Sequence, residues 1–367
     1  DVCSSDLNKL YYDWGRTFAY DAPLTMVVAV RDVGKTYGLR KQLIADFLKD
    51  GARFVQLVRY KTELPIMTGE YLAKVGREFP GYMFKSDTRY AWCARKVPED
   101  EKPDWRCMGY FCALTQMQQI KNTTFVDPYR IVLDEAIIDP ALQRYTSYLP
   151  REYYILTQAV DSITREQVDA DGNAVPRNHQ PRVYLLANGL SMANPYFHML
   201  GIRKPPEFGK HWYTDADGRK TVLLDYVEPR RQDKRRKSTT VAGRLAALDP
   251  TSAGALDNEF SDASGLFVAE KPRRAKPAFA IAHQGRRYGV WEDRGEGMVY
   301  VTDGAPANID PVYALTNKEG EFNAFLAARN EPVMRYLVEM YRYGLVRVDC
   351  DGTRAALGEC LGMFGLR

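Results

Sequence analysis

The stretch 25–50 limits what this chain can fold into more than any other part of it. Residues 25–30 (TMVVAV) are apolar or β-branched throughout, as expected of a strand covered on both faces. After Gly34-Lys35-Thr36, the residues Leu39, Leu43, Ile44, Phe47 and Leu48 recur at helical spacing and stop before Gly51. Strand, tight turn and helix in that order specify a parallel α/β unit. Further strands are expected at 53–60 (RFVQLVRY), 130–133 (RIVL) and 182–188 (RVYLLAN). Short strands at 82–84, 90–94 and 108–114 read as an antiparallel annex.

A chain of 367 residues has room for about two domains. Pro205-Pro206, the turn signal Asp215-Ala216-Asp217-Gly218 and a segment rich in Gly, Ser, Ala and Asp mark a connecting region. The expected division is a first domain over 1–204, a basic linker over 205–265 and a smaller α+β domain over 266–367. In the last, strands are expected at 278–283, 287–293 and 297–303, and an amphipathic helix at 331–343. The apolar run 26–30 is far below the roughly 20 residues that span a bilayer. No basic-then-apolar leader opens the sequence, and the reading is a cytosolic chain without a membrane partner. Six cysteines without a C-x-x-C pair, and four histidines not spaced as partners, argue against a structural zinc site.

The net charge of +4 hides an uneven layout. Between 230 and 287 stand thirteen basic and six acidic residues, so this stretch carries +7 and the remainder −3. Clustered cations attract phosphate backbones by releasing counterions, whatever the base sequence. Arg235, Arg236, Lys237, Arg273 and Arg274 are the candidate nucleic-acid contacts here. A solvated linker is the alternative for the same run.

The chemistry is concentrated in the turn after the first strand. Residues 29–36 (AVRDVGKT) nearly match G-x-x-x-x-G-K-[ST], in which backbone N–H groups cradle phosphates, the lysine neutralises them and the hydroxyl ligates Mg²⁺. Ala29 replaces the first glycine. Arg31, Asp32, Val33, Gly34, Lys35, Thr36 and Tyr37 are therefore the candidate nucleotide-binding residues, with ATP and Mg²⁺ as cofactors. Asp134 and Glu135 close the strand 130–133, whose tip is expected to adjoin that of the first strand beside the phosphate loop. Asp134, with Thr36, can hold the metal, and Glu135 can polarise an attacking water. A base beside the metal carboxylate favours hydrolysis over phosphoryl transfer, which must keep water out.

Asn188, ending the strand 182–188, stands where a polar side chain can sense the γ-phosphate. Asn188-Gly189 also reads as a simple turn. An arginine acting on a neighbour's nucleotide must lie at a domain edge. Arg165, just past the helical pattern of Ile155, Leu156, Val160 and Ile163, is the candidate, with Arg177 and Arg182 as competitors.

In order along the chain, VRDVGKTYG, RFVQLVRYKTEL, RIVLDEA, YLLANGLSMANPYF, LDNEFSD, FAIAHQGRRYGVWEDRGEGMVYVTD and VYALT resemble the DNA-packaging ATPases (DNA encapsidation proteins) of small protein-primed tailed bacteriophages. The resemblance implies a P-loop (RecA/ASCE-type) ATPase domain with a mostly parallel sheet, a linker and a C-terminal domain resembling a vestigial RNase H-like nuclease. It further implies a homopentameric ring docked on the capsid portal in the host cytoplasm, drawing double-stranded DNA into a procapsid. Some members contact a phage structural RNA. Carried across, Lys35 and Thr36 match the phosphate-loop pair, Arg31 the loop arginine, Asp134 and Glu135 the metal and catalytic acids, and Asn188 the sensor. Lys61 matches a basic position facing DNA or a neighbour, and Arg165 the trans-acting finger. The strand expected at 278–283 (AFAIAH) carries no acid, so no DNA cleavage is expected. Two other readings are a nucleic-acid-binding structural protein with a decayed phosphate loop, for which Ala29 argues, and a motor with an active nuclease.

Overall fold

The computed structural model describes residues 12–31, 33–68, 71–139, 146–166, 178–189, 191–202, 205–229, 240–241, 244, 248, 267–316, 325–327 and 331–365. The chain divides into two compact units. One comprises Asp1–Ile137, Glu152–Gly189 and Glu207–Glu259; the other comprises Ile138–Arg151, Leu190–Pro206 and Phe260–Arg367.

The first unit is built on nine strands: β1 (Leu24–Val28), β2 (Arg53–Val58), β3 (Tyr82–Ser86), β4 (Tyr90–Arg95), β5 (Arg106–Ala113), β6 (Pro128–Leu133), β7 (Arg182–Ala187), β8 (Gly209–Thr214) and β9 (Lys220–Tyr226). They form one sheet in the order β3-β4-β5-β2-β6-β7-β1-β9-β8. The six strands from β5 to β9 in that order run parallel, and antiparallel β4 and β3 at one edge and β8 at the other finish it. Val27, Phe54, Val132 and Tyr184 are buried on one face. Their strand neighbours Met26, Val55, Ile131 and Leu185 are buried too. Burial of consecutive residues is why these strands read as apolar runs rather than as alternating ones.

Helix α1 (Trp14–Phe18) precedes β1, α2 (Lys35–Asp50) follows it, and α3 (Glu152–Ile163) lies between β6 and β7. Two glycines fix the ends of α2: Gly34 at φ 73° and Gly51 at φ 79° both occupy the left-handed region. The N–H of Gly51 caps the Phe47 carbonyl. Between them Leu39, Leu43, Ile44 and Phe47 bury the face that the sequence spacing marks out.

One sequence expectation is extended and one corrected here. The annex at 82–114 is antiparallel as expected, and β5 joins it to the main sheet by pairing with β2 in parallel. Residues 209–226, expected to open the linker, are a hairpin whose β9 lies parallel to β1. Asp215-Ala216-Asp217-Gly218 is its turn: the Asp215 Oδ1 accepts from the backbone of Asp217 and Arg219, and Gly218 sits at φ 78°. The basic run 230–237 and the segment 249–266 lie outside the described residues.

The second unit has a six-stranded sheet of β10 (Lys276–His283), β11 (Arg286–Asp293), β12 (Met298–Asp303), β13 (Val312–Ala314), β14 (Phe325–Leu326) and β15 (Val346–Val348). Its order is β14-β13-β10-β11-β12-β15. The meander β10-β11-β12 and the helix α5 (Pro332–Arg342) follow the sequence reading, whereas β13 to β15 and the last helix, α6 (Asp351–Gly362), do not appear in it. Between β7 and this region, α4 (Pro195–Met199) also belongs to the second unit. Asn194 caps α4 by accepting from the Phe197 N–H, and the His198 imidazole meets the Tyr288 hydroxyl of β11 at 2.9 Å. Burial pulls the His198 pKa down and pushes the Tyr288 hydroxyl up, so both groups are held neutral. A boundary at 204/205 would separate α4 from the residues it packs on.

Candidate functional site

The carboxyl ends of β1, β7 and β6 bring the sequence-derived residues together. β1 runs past its last ladder residue into Ala29, which still donates its N–H to the Ala187 carbonyl of β7 at 3.1 Å and is fully buried. Ala29 is thus a sheet residue outside the left-handed region, and nothing there requires the glycine it replaces. Val33 is buried, and Gly34 turns the chain into α2, so the first N–H groups of a long helix open onto this edge. Arg31 is exposed, and Asp32 lies outside the described residues.

Lys35 is buried to 8 % exposure. It donates to the Asn188 Oδ1 at 2.6 Å and lies 3.3 Å and 3.5 Å from the carbonyls of Ala29 and Val30. The next residue, Thr36, donates through Oγ1 to Asp134 Oδ2 at 2.9 Å. Tyr37 is half-buried, with its hydroxyl on Glu78 and the Lys74 ammonium 5.8 Å from its ring centre. The tips of β1 and β6 do not adjoin, contrary to the sequence reading: β7 lies between them. That interposition is what places Asn188 on the lysine.

Glu135 is exposed, and its backbone sits at φ 53°, a conformation uncommon for a residue with a Cβ. It opens no helix. A group that sequence reasoning missed holds the segment in place. Arg59, at the end of β2, forms a two-pronged ion pair with Glu152 at 2.7 and 2.9 Å, both side chains being buried. The same guanidinium donates to the backbone carbonyls of Glu135 and Ala136 at 3.3 and 2.9 Å. Four contacts to one planar donor fix the direction of the chain after β6. Nearby, Glu63 accepts the Arg59 N–H at 3.2 Å. Burial pushes the Glu63 carboxyl up, against the opposing pull of that N–H and of the Arg59 charge.

The remaining candidates fall in different places. Arg165 is exposed just beyond α3, and Arg182 grips Asp21 through two contacts at 2.8 and 2.7 Å. Arg177 lies outside the described residues, as do Arg235, Arg236 and Lys237. Lys61 is exposed and lines an open cleft of about 510 Å³ with Arg89, Tyr90, Gln116, Gln118 and Asn122. No acidic residue lines that cleft. In the second unit Arg273 is exposed, and Arg274 is bound to Asp293 and Glu296 at 2.7 and 2.9 Å, which leaves less of its charge for a phosphate.

The donor set suits Mg²⁺ rather than a softer ion. It offers one hydroxyl and one carboxylate oxygen already in contact, and Mg²⁺ prefers few protein oxygens, completing its shell with water and phosphate. Among the described residues no group of three or more His, Cys, Asp or Glu side chains could hold a metal. No helix there is long and apolar enough to cross a membrane.

Known proteins align with nearly the whole chain. The DNA packaging protein of Bacillus phage B103 is 29% identical over 336 residues, covering 90% of this chain and 94% of that one. The DNA packaging protein of Bacillus phage phi29 is 27% identical over 347 residues, covering 93% and 94%. In fold, the chain is similar to that of the Phi-28 gp11 DNA packaging motor, with a TM-score of 0.65, 18% identity and 98% of each chain covered. It is similar also to the bacteriophage Phi-29 genome packaging motor assembly, with a TM-score of 0.63, 22% identity and 97% and 99% covered. The model of the podovirus DNA encapsidation protein (Gp16) family matches residues 7–361, so the chain belongs to that family of DNA packaging proteins.

Proposed function

We propose that this DNA packaging protein is driven by hydrolysis of ATP, bound with Mg²⁺ at the edge formed by β1, β7 and β6. The observation that carries this is the pair of contacts Lys35–Asn188 and Thr36–Asp134, which join a phosphate loop, a sensor and an acid from three separate strands. The first unit then acts as a P-loop ATPase domain of the RecA/ASCE type. Gly34, Lys35 and Thr36 hold the β- and γ-phosphates, and Val33 and Tyr37 flank them. Thr36 and Asp134 would hold Mg²⁺, which when bound offsets phosphate charge. Glu135 positions and deprotonates the attacking water. The Lys35 ammonium has a discrete choice between the Asn188 amide and a γ-phosphate oxygen, the kind of two-state change that a nucleotide switch requires.

In this reading the subunits form a ring, pentameric as the family resemblance implies, and Arg165 reaches the neighbour's phosphates. The ring docks on the capsid portal in the host cytoplasm, with a phage structural RNA as a further partner. The meander β10-β11-β12, continued by parallel β13 and β14 on the β10 side, supports the reading of the second unit as a nuclease-like domain turned to binding.

Lys35→Ala is expected to abolish ATP binding measured by calorimetry while leaving the melting temperature of the apo protein close to that of the parent. An unmutated chain that binds no nucleotide favours the structural-protein alternative instead. DNA binding should ignore base sequence and weaken with salt, each neutralised phosphate contributing about 0.9 to the slope of log K against log salt. Lys61→Ala should lower that slope by about one; a strong sequence preference would count against backbone grip.

A further inference from the structure

We propose that Tyr12 and Trp14 are positioning residues that aim two N–H groups of the phosphate loop, those of Gly34 and Thr36. The inference rests on the nucleotide-site reading above and goes beyond it to the residues preceding the first strand. The Tyr12 N–H donates to the Val33 carbonyl at 2.8 Å, and the Trp14 indole N–H donates to the Lys35 carbonyl at 2.8 Å. In a trans peptide the C=O and N–H lie in one plane and point in opposite directions. The Val33 carbonyl shares its plane with the Gly34 N–H, and the Lys35 carbonyl shares its plane with the Thr36 N–H. Tethering each carbonyl toward α1 therefore turns its partner N–H the other way. Oriented donors that need no reorganisation when an anion arrives are the most effective kind.

The brace is itself held firmly. Trp14 is 4 % exposed, stacks on Phe18 with ring centres 5.2 Å apart, and meets Tyr12 and Tyr184 edge-on at 4.9 and 5.9 Å. The Tyr12 hydroxyl bonds Asp225 of β9 and Thr17, both at 2.6 Å. Burial and the Asp225 charge push that hydroxyl's pKa up, so it stays a donor. Asp13 caps α1 by accepting the Arg16 N–H at 3.0 Å. Gly38, one turn into α2, makes the approach possible: a Cβ there would lie 2.8 Å from Trp14 Cδ1.

The test is ATP affinity by calorimetry in the presence of Mg²⁺, set beside thermal stability. Trp14→Phe keeps a ring and removes the indole donor, and should weaken ATP about 3- to 10-fold, the worth of one neutral hydrogen bond. Gly38→Ala keeps every aromatic side chain and favours helix, yet its methyl displaces the indole, so it should weaken ATP by a similar factor. Phe18→Leu thins the same layer without touching a loop carbonyl, and should lower the melting temperature with ATP affinity unchanged. Parent-like affinity in both Trp14→Phe and Gly38→Ala overturns the proposal. So does an equal loss in Phe18→Leu, which would make the layer merely structural. Failure of the unmutated protein to bind ATP is a different result, since it removes the nucleotide reading itself and this proposal with it.

Discussion

Subunits carrying Glu135→Gln and subunits carrying Arg165→Ala should each be almost inert alone and regain ATP turnover when mixed. Removing a general base costs about 10²- to 10⁴-fold, and a trans-acting arginine in phosphate-loop enzymes contributes about 10³ to 10⁵. In a mixed ring, an Arg165→Ala subunit keeps its own Glu135 and can receive Arg165 from a Glu135→Gln neighbour. Such junctions have every group the reaction needs. Arg165 is exposed just beyond α3, at an edge of its unit. Steady-state phosphate release across mixing ratios is the measurement. A flat, inactive response at every ratio would mean that Arg165 does not act between subunits.

Glu152→Ala should be the most destabilising substitution near the site. It strips the Arg59 guanidinium of its buried counter-ion, and leaving such a charge unpaired costs about 3 to 5 kcal/mol. Equilibrium unfolding in urea reads this as a lower midpoint. Glu152→Gln, which keeps one acceptor oxygen, should lose less stability. Its more telling effect would be on turnover, because the same guanidinium carries the carbonyls of Glu135 and Ala136. A Glu152→Ala protein as stable as the parent would show that the ion pair does not anchor the β6 tip.

Local pattern carried much of this architecture. β1, β2, β6 and β7 are recognisable because burial on both faces leaves short, apolar, β-branched runs, and α2 because two glycines bracket one apolar face. Gly34, Lys35, Thr36, Asp134 and Asn188 could be placed because each sits at the end of such a run. What the pattern hid depends on distant partners. Arg59 and Glu152 are 93 positions apart, and neither has a local signature of pairing. The hairpin β8-β9 was hidden by its own turn, since Asp, Asp and Gly punctuate a linker and a tight reversal alike. Short β13, β14 and β15 carry too few residues to show a period. Sheet order was not legible either: only pairing shows that β7 separates β1 from β6, although β7 comes last of the three in sequence.

That order of assembly bears on biosynthesis. Lys35, Asp134 and Asn188 leave the ribosome far apart in time, and a nascent chain ending before β7 would own the loop and both carboxylates but no amide to receive the ammonium. Protection by ligand, followed through a ladder of truncated chains, would therefore report the moment the last central strand inserts.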